Sequence, residues 1–139
     1  MYKLQVKASF DSAHFLKGYE GKCSNLHGHR WNVVAEIAAE DVQTEGQCRG
    51  MVLDFSDVKK ALGAEADRLD HSLLIEEGSL RPATLAALKE ENFRILEFPF
   101  RPTAENFAKH FYTYLAGEGF PVCAVRVFET PQNCASYEA

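Results

Sequence analysis

Tyr2-Lys3-Leu4-Gln5-Val6-Lys7-Ala8-Ser9-Phe10 alternates apolar and polar side chains without a break. Successive side chains of an extended chain point to opposite faces. Leu4, Val6, Ala8 and Phe10 therefore read as the inner face of a half-buried strand, and Lys3, Gln5, Lys7 and Ser9 as its solvated face. Asp11-Ser12-Ala13-His14-Phe15 follows, and His14 emerges near the strand's end, within reach of a neighbouring strand. Residues 17 to 26 hold two glycines among polar residues and read as a loop. From His29 to about Glu40 the run Trp31-Asn32-Val33-Val34-Ala35-Glu36-Ile37 is β-branched and aromatic, and reads as a second strand.

Between loop and strand lies Cys23-Ser24-Asn25-Leu26-His27-Gly28-His29. If the chain is extended there, His27 and His29 share a face and can bind one ion together, while Gly28 leaves the opposite face open. Imidazole is a common zinc ligand, and a catalytic zinc keeps three protein ligands and one open position, so His14 is the candidate third. Two hydrogen-bonded structural histidines are the plainer reading of the same pair. A thiol near a dication or an imidazolium loses its proton easily, which makes Cys23 a candidate base or nucleophile. Its alternatives are a fourth metal ligand and a buried thiol.

The rest of the chain supplies helices and two more strands. Asp41 to Gly50 is a polar surface turn. Asp54-Phe55-Ser56-Asp57 opens a helix whose Val58, Ala61, Leu62 and Leu69 share a face, with its end near Leu69. A short helix fits residues 82 to 91. Thr103 caps a helix beginning Pro102-Thr103-Ala104-Glu105-Asn106, striped by Phe107, Ala108, Phe111 and Leu115 and stopped by Gly117 and Gly119. Val122 to Glu129 is a third strand and Ala135 to Glu138 a fourth. The order strand, strand, helix, helix, strand, strand predicts an α+β fold. It has one four-stranded, mostly antiparallel sheet with the helices packed on one face, in a single domain over residues 1–139.

With 139 residues and 46 % hydrophobic side chains the chain can bury one substantial core. A formal charge of -5 and a pI near 5.5 give no broad basic field, so neither nucleic acid nor an anionic membrane is an expected partner. No apolar signal core or membrane-length run is present, and the expected location is the cytoplasm. Cys23, Cys48, Cys123 and Cys134 form no C-x-x-C pair and are expected to be free thiols.

Two further groups can move protons or hold a polar ligand. Asp70-His71 sets a carboxylate beside an imidazole, which suits proton transfer near neutral pH if the backbone turns there. Otherwise it is a cap or a surface ion pair. Glu129 ends an apolar strand, and a carboxylate there can accept the paired N–H groups of a guanine or pterin edge. Glu105, in the first turn of its helix, is favoured by the helix dipole with or without a ligand.

His14, the C-x-x-x-H-G-H run from Cys23 to His29, Asp54-Phe55, Asp70-His71, Pro102-Thr103-Ala104-Glu105-Asn106 and Glu129-Thr130 together resemble the 6-pyruvoyltetrahydropterin synthase superfamily. The likeness runs from about Phe10 to Ala135, and within it the bacterial 6-carboxytetrahydropterin synthases of queuosine biosynthesis look most similar. The resemblance implies that His14, His27 and His29 hold Zn2+, that Cys23 is the proton-abstracting base, and that Asp70 and His71 form its relay. It implies that Glu129 anchors the pterin, with Thr103 and Glu105 at its ring. It also implies a tunnelling fold assembled as a homohexamer, a dimer of trimers, with active sites between subunits.

The implied reaction is zinc-dependent. It converts 7,8-dihydroneopterin triphosphate to 6-carboxy-5,6,7,8-tetrahydropterin, releasing acetaldehyde and triphosphate. The alternative is the 6-pyruvoyl product of triphosphate elimination alone, and a lower alternative is a non-catalytic zinc module closed by Cys23. Lys17, Lys22, Arg30, Arg49 and Arg101 are the cations available for triphosphate. Residues 80 to 101 form a charged insertion beyond the compact bacterial pattern, whose Phe98-Pro99-Phe100 is expected at a subunit contact or over the site. The short last strand is expected to pair partly with a neighbouring subunit.

Overall fold

The alternation that opens the chain becomes β1, Tyr2–His14, which runs antiparallel to β2, His27–Ala39, from Tyr2↔Ala39 to His14↔His27. The computed structural model describes residues 1–139. After β2 come α1 (Phe55–Leu69), β3 (Leu73–Glu76), α2 (Pro82–Glu90), β4 (Ile95–Phe98), α3 (Ala104–Gly117), β5 (Val122–Thr130) and β6 (Asn133–Glu138). They form one sheet in the order β4-β3-β1-β2-β5-β6.

Directly opposed residues of an antiparallel pair share a face, so the register decides what the core contains. Phe10 faces Trp31 and Val6 faces Ala35 across β1 and β2, while Val33 and Ala35 face Val127 and Val125 across β2 and β5. These side chains form the core with Val58, Leu62, Ala66 and Leu69 of α1 and Phe107, Ala108, Phe111 and Leu115 of α3. Burying each large apolar side chain contributes about 2 kcal/mol. Phe10 stacks on Trp31 with ring centroids 5.8 Å apart, and Phe107 meets Trp31 edge-on at 5.3 Å.

The helix starts follow the caps. The Asp54 carboxylate accepts the Ser56 amide at 2.8 Å, and Thr103 Oγ1 accepts the Asn106 amide at 3.2 Å. One acid lies on α1's apolar face. Glu65, 6 % exposed, contacts Arg68 Nε at 2.6 Å and His110 Nε2 of α3 at 3.5 Å. Burial pushes the Glu65 carboxyl up, but the neighbouring His110 and Arg68 outweigh it and hold the group below its ordinary value.

Four expectations are corrected. The sheet has six strands, because β3 and β4 add two parallel pairings, His14↔Leu74 and Leu73↔Ile95, to the antiparallel four. Each is only four residues long and neither alternates in polarity, so no period-two signal announces it. Residues 80 to 101 therefore contain α2 and an edge strand. Phe98 is a core residue, 4 % exposed, stacked on Phe100 at 5.1 Å and edge-on to Phe107 at 5.4 Å. The last strand is longer than expected, Asn133–Glu138, and pairs with β5 within the chain from Ala124↔Glu138 to Thr130↔Asn133. α1 and α3 cover one face as expected, but α2 buries none of its residues. No helix is long and apolar enough to cross a membrane.

Candidate active site

The core face of β1 and β2 does not end where the helices stop covering it. Two positions beyond the Phe10–Trp31 pair, Ser12 opposes His29, and two further on His14 opposes His27. Period two thus delivers all three histidines to the face that carries the core aromatics. Their ligand nitrogens lie within 4.8 Å of one another. The next residue of β5 on the same face is Glu129, whose Oε1 is 3.4 Å from His14 Nε2 and 3.6 Å from His29 Nε2.

The donor set fits a metal ion. His14 Nδ1 sits 2.7 Å from the Pro102 carbonyl and His27 Nδ1 2.7 Å from the Asn25 carbonyl, contacts in which the ring N–H donates. That leaves Nε2 as the lone-pair nitrogen, and Nε2 of His14, His27 and His29 is buried without a hydrogen-bond partner. Outer hydrogen bonds of this kind fix a ligand's tautomer and aim it at the ion. Burial lowers the His14 pKa to about 4 and also lowers that of His29, against the opposing pull of Glu129. His14 is therefore neutral at pH 7, as a metal ligand must be, and its contact with Glu129 is not an ion pair.

Cys23 lies on a 3-10 turn, Lys22–Ser24, and is half-buried. The turn is tied back toward β1 by Leu16 N donating to the Cys23 carbonyl at 2.9 Å. Its thiol is not among the clustered ligand atoms, which counts against a site closed by four protein ligands.

Asp70 and His71 do form a unit, because the backbone turns between them. His71 has φ +52°, a left-handed conformation that brings its Nδ1 back to Asp70 Oδ2 at 2.8 Å. The other carboxylate oxygen accepts the Asp11 amide at 2.8 Å, and the His71 amide donates to the Asp11 carbonyl at 2.7 Å. The Asp11 amide, then the His71 ring, hold the Asp70 carboxyl below its ordinary range. His71 is exposed and lines a cavity of about 720 Å³ together with His29, Gly28, Arg30, Phe93 and Arg94. Cys23 does not line it, and no hydrogen bond joins Cys23 to Asp70 or His71 within the chain.

Glu105 and Glu129 line a second cavity of about 300 Å³ with Ala104, Asn133, Cys134 and Ala135. Thr103, given to the pterin ring in the sequence reading, has its hydroxyl engaged as the α3 cap. Among the cations, Arg30 is bound to both carboxylate oxygens of Asp11, at 3.1 and 2.9 Å, and Arg101 donates to the Lys17 carbonyl at 2.6 Å. Lys17, Lys22 and Arg49 make no side-chain ion pair.

Arg94 and the Glu65–His110 pair carry no motif that marks them in the sequence. A glutamate and a histidine at stripe positions of α1 and α3 were the available signal for the pair.

Comparison with known proteins gives the family. The model of the family described as 6-pyruvoyl tetrahydropterin synthase matches residues 3–139. The chain is 35 % identical to a 6-carboxy-5,6,7,8-tetrahydropterin synthase of Haemophilus influenzae, covering 99 % of both chains. It is 31 % identical to the protein of that name from Synechocystis, over 99 % of this chain and 93 % of that one. Among solved structures, an uncharacterized protein from Wolinella succinogenes aligns with a TM-score of 0.78 at 20 % identity, covering 99 % of this chain and 97 % of that one. Plasmodium vivax 6-pyruvoyltetrahydropterin synthase aligns with a TM-score of 0.71 at 20 % identity over the same shares. The structural likenesses carry the fold, and the full-length sequence relatives carry the family: the chain belongs to the 6-pyruvoyl tetrahydropterin synthase family of pterin enzymes.

Proposed function

We propose that this protein is a zinc-dependent lyase that converts 7,8-dihydroneopterin triphosphate to 6-carboxy-5,6,7,8-tetrahydropterin, releasing acetaldehyde and triphosphate, in queuosine biosynthesis. The observation that carries the reading is the set of three buried, unpartnered Nε2 atoms at the open end of the core face, two of them facing Glu129. Zinc held by His14, His27 and His29 would supply a Lewis acid for the hydroxyls of the substrate side chain.

Around that centre each residue has a task suited to its place. Glu129 and Glu105, on the walls of one cavity, accept the N–H edge of the pterin. Cys23 as thiolate removes a proton from the side chain. His71, oriented through Nδ1 by Asp70, exchanges a proton through its exposed Nε2. In this reading the active site is completed by a neighbouring copy, with Cys23 and the Asp70–His71 pair brought together across a subunit contact. A hexamer built as two trimers supplies that neighbour.

Relatives named for the carboxy product at 30–35 % identity favour it over the pyruvoyl one. The deciding experiment is mass spectrometry of products from zinc-loaded protein and dihydroneopterin triphosphate, with a trap for acetaldehyde. Carboxytetrahydropterin with trapped acetaldehyde is the expected result. A pyruvoyl product without acetaldehyde reassigns the reaction, and unchanged substrate from folded, metal-loaded protein overturns the enzymatic reading.

A further inference from the structure

The left-handed turn at His71 is unfavourable for a non-glycine residue, so the surrounding structure must hold it. One side of the turn is held by Asp11, as described. The other side is held from the link between α2 and β4. Arg94 Nη1 donates to the Asp70 carbonyl at 3.3 Å, while Nη2 reaches the carbonyls of Arg68 and, at 3.5 Å, Asp67. Those last two belong to the final turn of α1, where the Asp67 carbonyl also accepts the Asp70 amide at 3.3 Å.

Two features make this more than a surface contact. Arg94 is fixed by its own backbone, because its carbonyl accepts the Leu73 amide at 2.9 Å at the start of the β3–β4 ladder. The ladder thus sets residue 94 beside residues 70 to 73. There is also an electrostatic reason for a cation here. Asp70 stands directly after the C-terminus of α1, where the helix dipole disfavours an anion, and the Arg94 guanidinium offsets that field.

We propose that Arg94, on the link between α2 and β4, is a positioning residue that holds the Asp70–His71 pair in its proton-transferring geometry. It bridges the α1 carbonyls to the Asp70 carbonyl. The inference rests on the reading of that pair given under the proposed function. Near the pair Asp11 and Arg30 neutralise one another through two hydrogen bonds, and the Arg68 guanidinium is bound to Glu65. Arg94 is the cation left to act on the turn.

The test is steady-state kinetics of the full-length, zinc-loaded protein and of Arg94→Ala, Arg94→Lys, His71→Ala and the Arg94→Ala/His71→Ala double variant. Thermal unfolding and metal content are measured on each. Arg94→Ala is expected to lower kcat about 10–100-fold with KM little changed, the scale seen when an outer hydrogen-bonding partner of a functional group is removed. Its pH profile should be displaced from that of the parent. Arg94→Lys should recover part of the loss, since an ammonium replaces the charge but not the fork.

The double variant decides between positioning and mere structure. If Arg94 acts through His71, adding Arg94→Ala to His71→Ala costs nothing further. An equal loss in both backgrounds, or wild-type kcat in Arg94→Ala while His71→Ala is impaired, overturns the inference and leaves the catalytic reading standing. Wild-type turnover in His71→Ala itself overturns the reading beneath it, and the inference with it.

Discussion

His14 Nδ1 lies 2.7 Å from the carbonyl oxygen of Pro102, 88 residues away in the chain. That contact joins the metal cluster to the entry of α3, whose first turn carries Glu105 into the neighbouring cavity. One turn of chain, Arg101-Pro102-Thr103, thereby does three jobs. Arg101 ties down the loop after β1, Pro102 sets the His14 tautomer, and Thr103 caps the helix.

His14→Ala should abolish tight metal binding. Removing a ligand costs more than the roughly 10–100-fold lost with an outer hydrogen-bond partner. Competition with a chromophoric chelator measures it, and an unchanged zinc affinity would show that the cluster is not the metal centre. The parent protein should also unfold at a lower temperature after zinc removal, because an ion that binds only the folded state adds about 3 kcal/mol at a hundredfold excess over Kd.

Cys23→Ala should keep one zinc per chain and lose turnover by about 10²–10⁴-fold, the usual worth of a positioned acid–base group. Metal analysis alongside single-turnover kinetics separates the two effects. Loss of zinc in this variant would make the thiol a ligand.

Thr103→Ala removes the oxygen that accepts the Asn106 amide and should cost about 1 kcal/mol of stability, with Thr103→Ser near the parent. Denaturant unfolding measures both. A variant as stable as the parent but with weakened pterin binding would move Thr103 from the cap to the ligand.

Glu65→Ala strands His110 between four phenylalanine rings and Arg68 without its partner, at a cost of about 3 kcal/mol. The Glu65 carboxyl is held below its ordinary value, so the unfolded state binds its proton more readily than the folded one. The stability it contributes is present above the ordinary glutamate pKa of about 4.3 and is lost as pH falls through the depressed native value. Urea unfolding in that acid range should fall more steeply for the parent than for Glu65→Gln; parallel curves would remove Glu65 from the account.

Much of this was written in local pattern. Alternation over residues 2 to 10 implies β1, and the same period carried through His27, His29 and Trp31 puts the histidines on the core face. Asp54 and Thr103 mark helix starts because capping is a contact of two or three residues. These signals are short-range, so a sequence can display them. β3 and β4 are invisible in that way, since a four-residue parallel edge has no alternation and exists only through its ladder partners.

The site divides along the same line. Sequence alone determined which residues have the chemistry: three imidazoles, a thiol, an acid beside an imidazole, and two carboxylates at element ends. Only the tertiary structure decided that Glu129 meets His14 and His29, that Pro102 fixes a tautomer, that His71 turns back on Asp70, and that Arg94 bridges Asp70 to α1. Each of these joins residues through backbone geometry or strand register, and neither is a property of residue type.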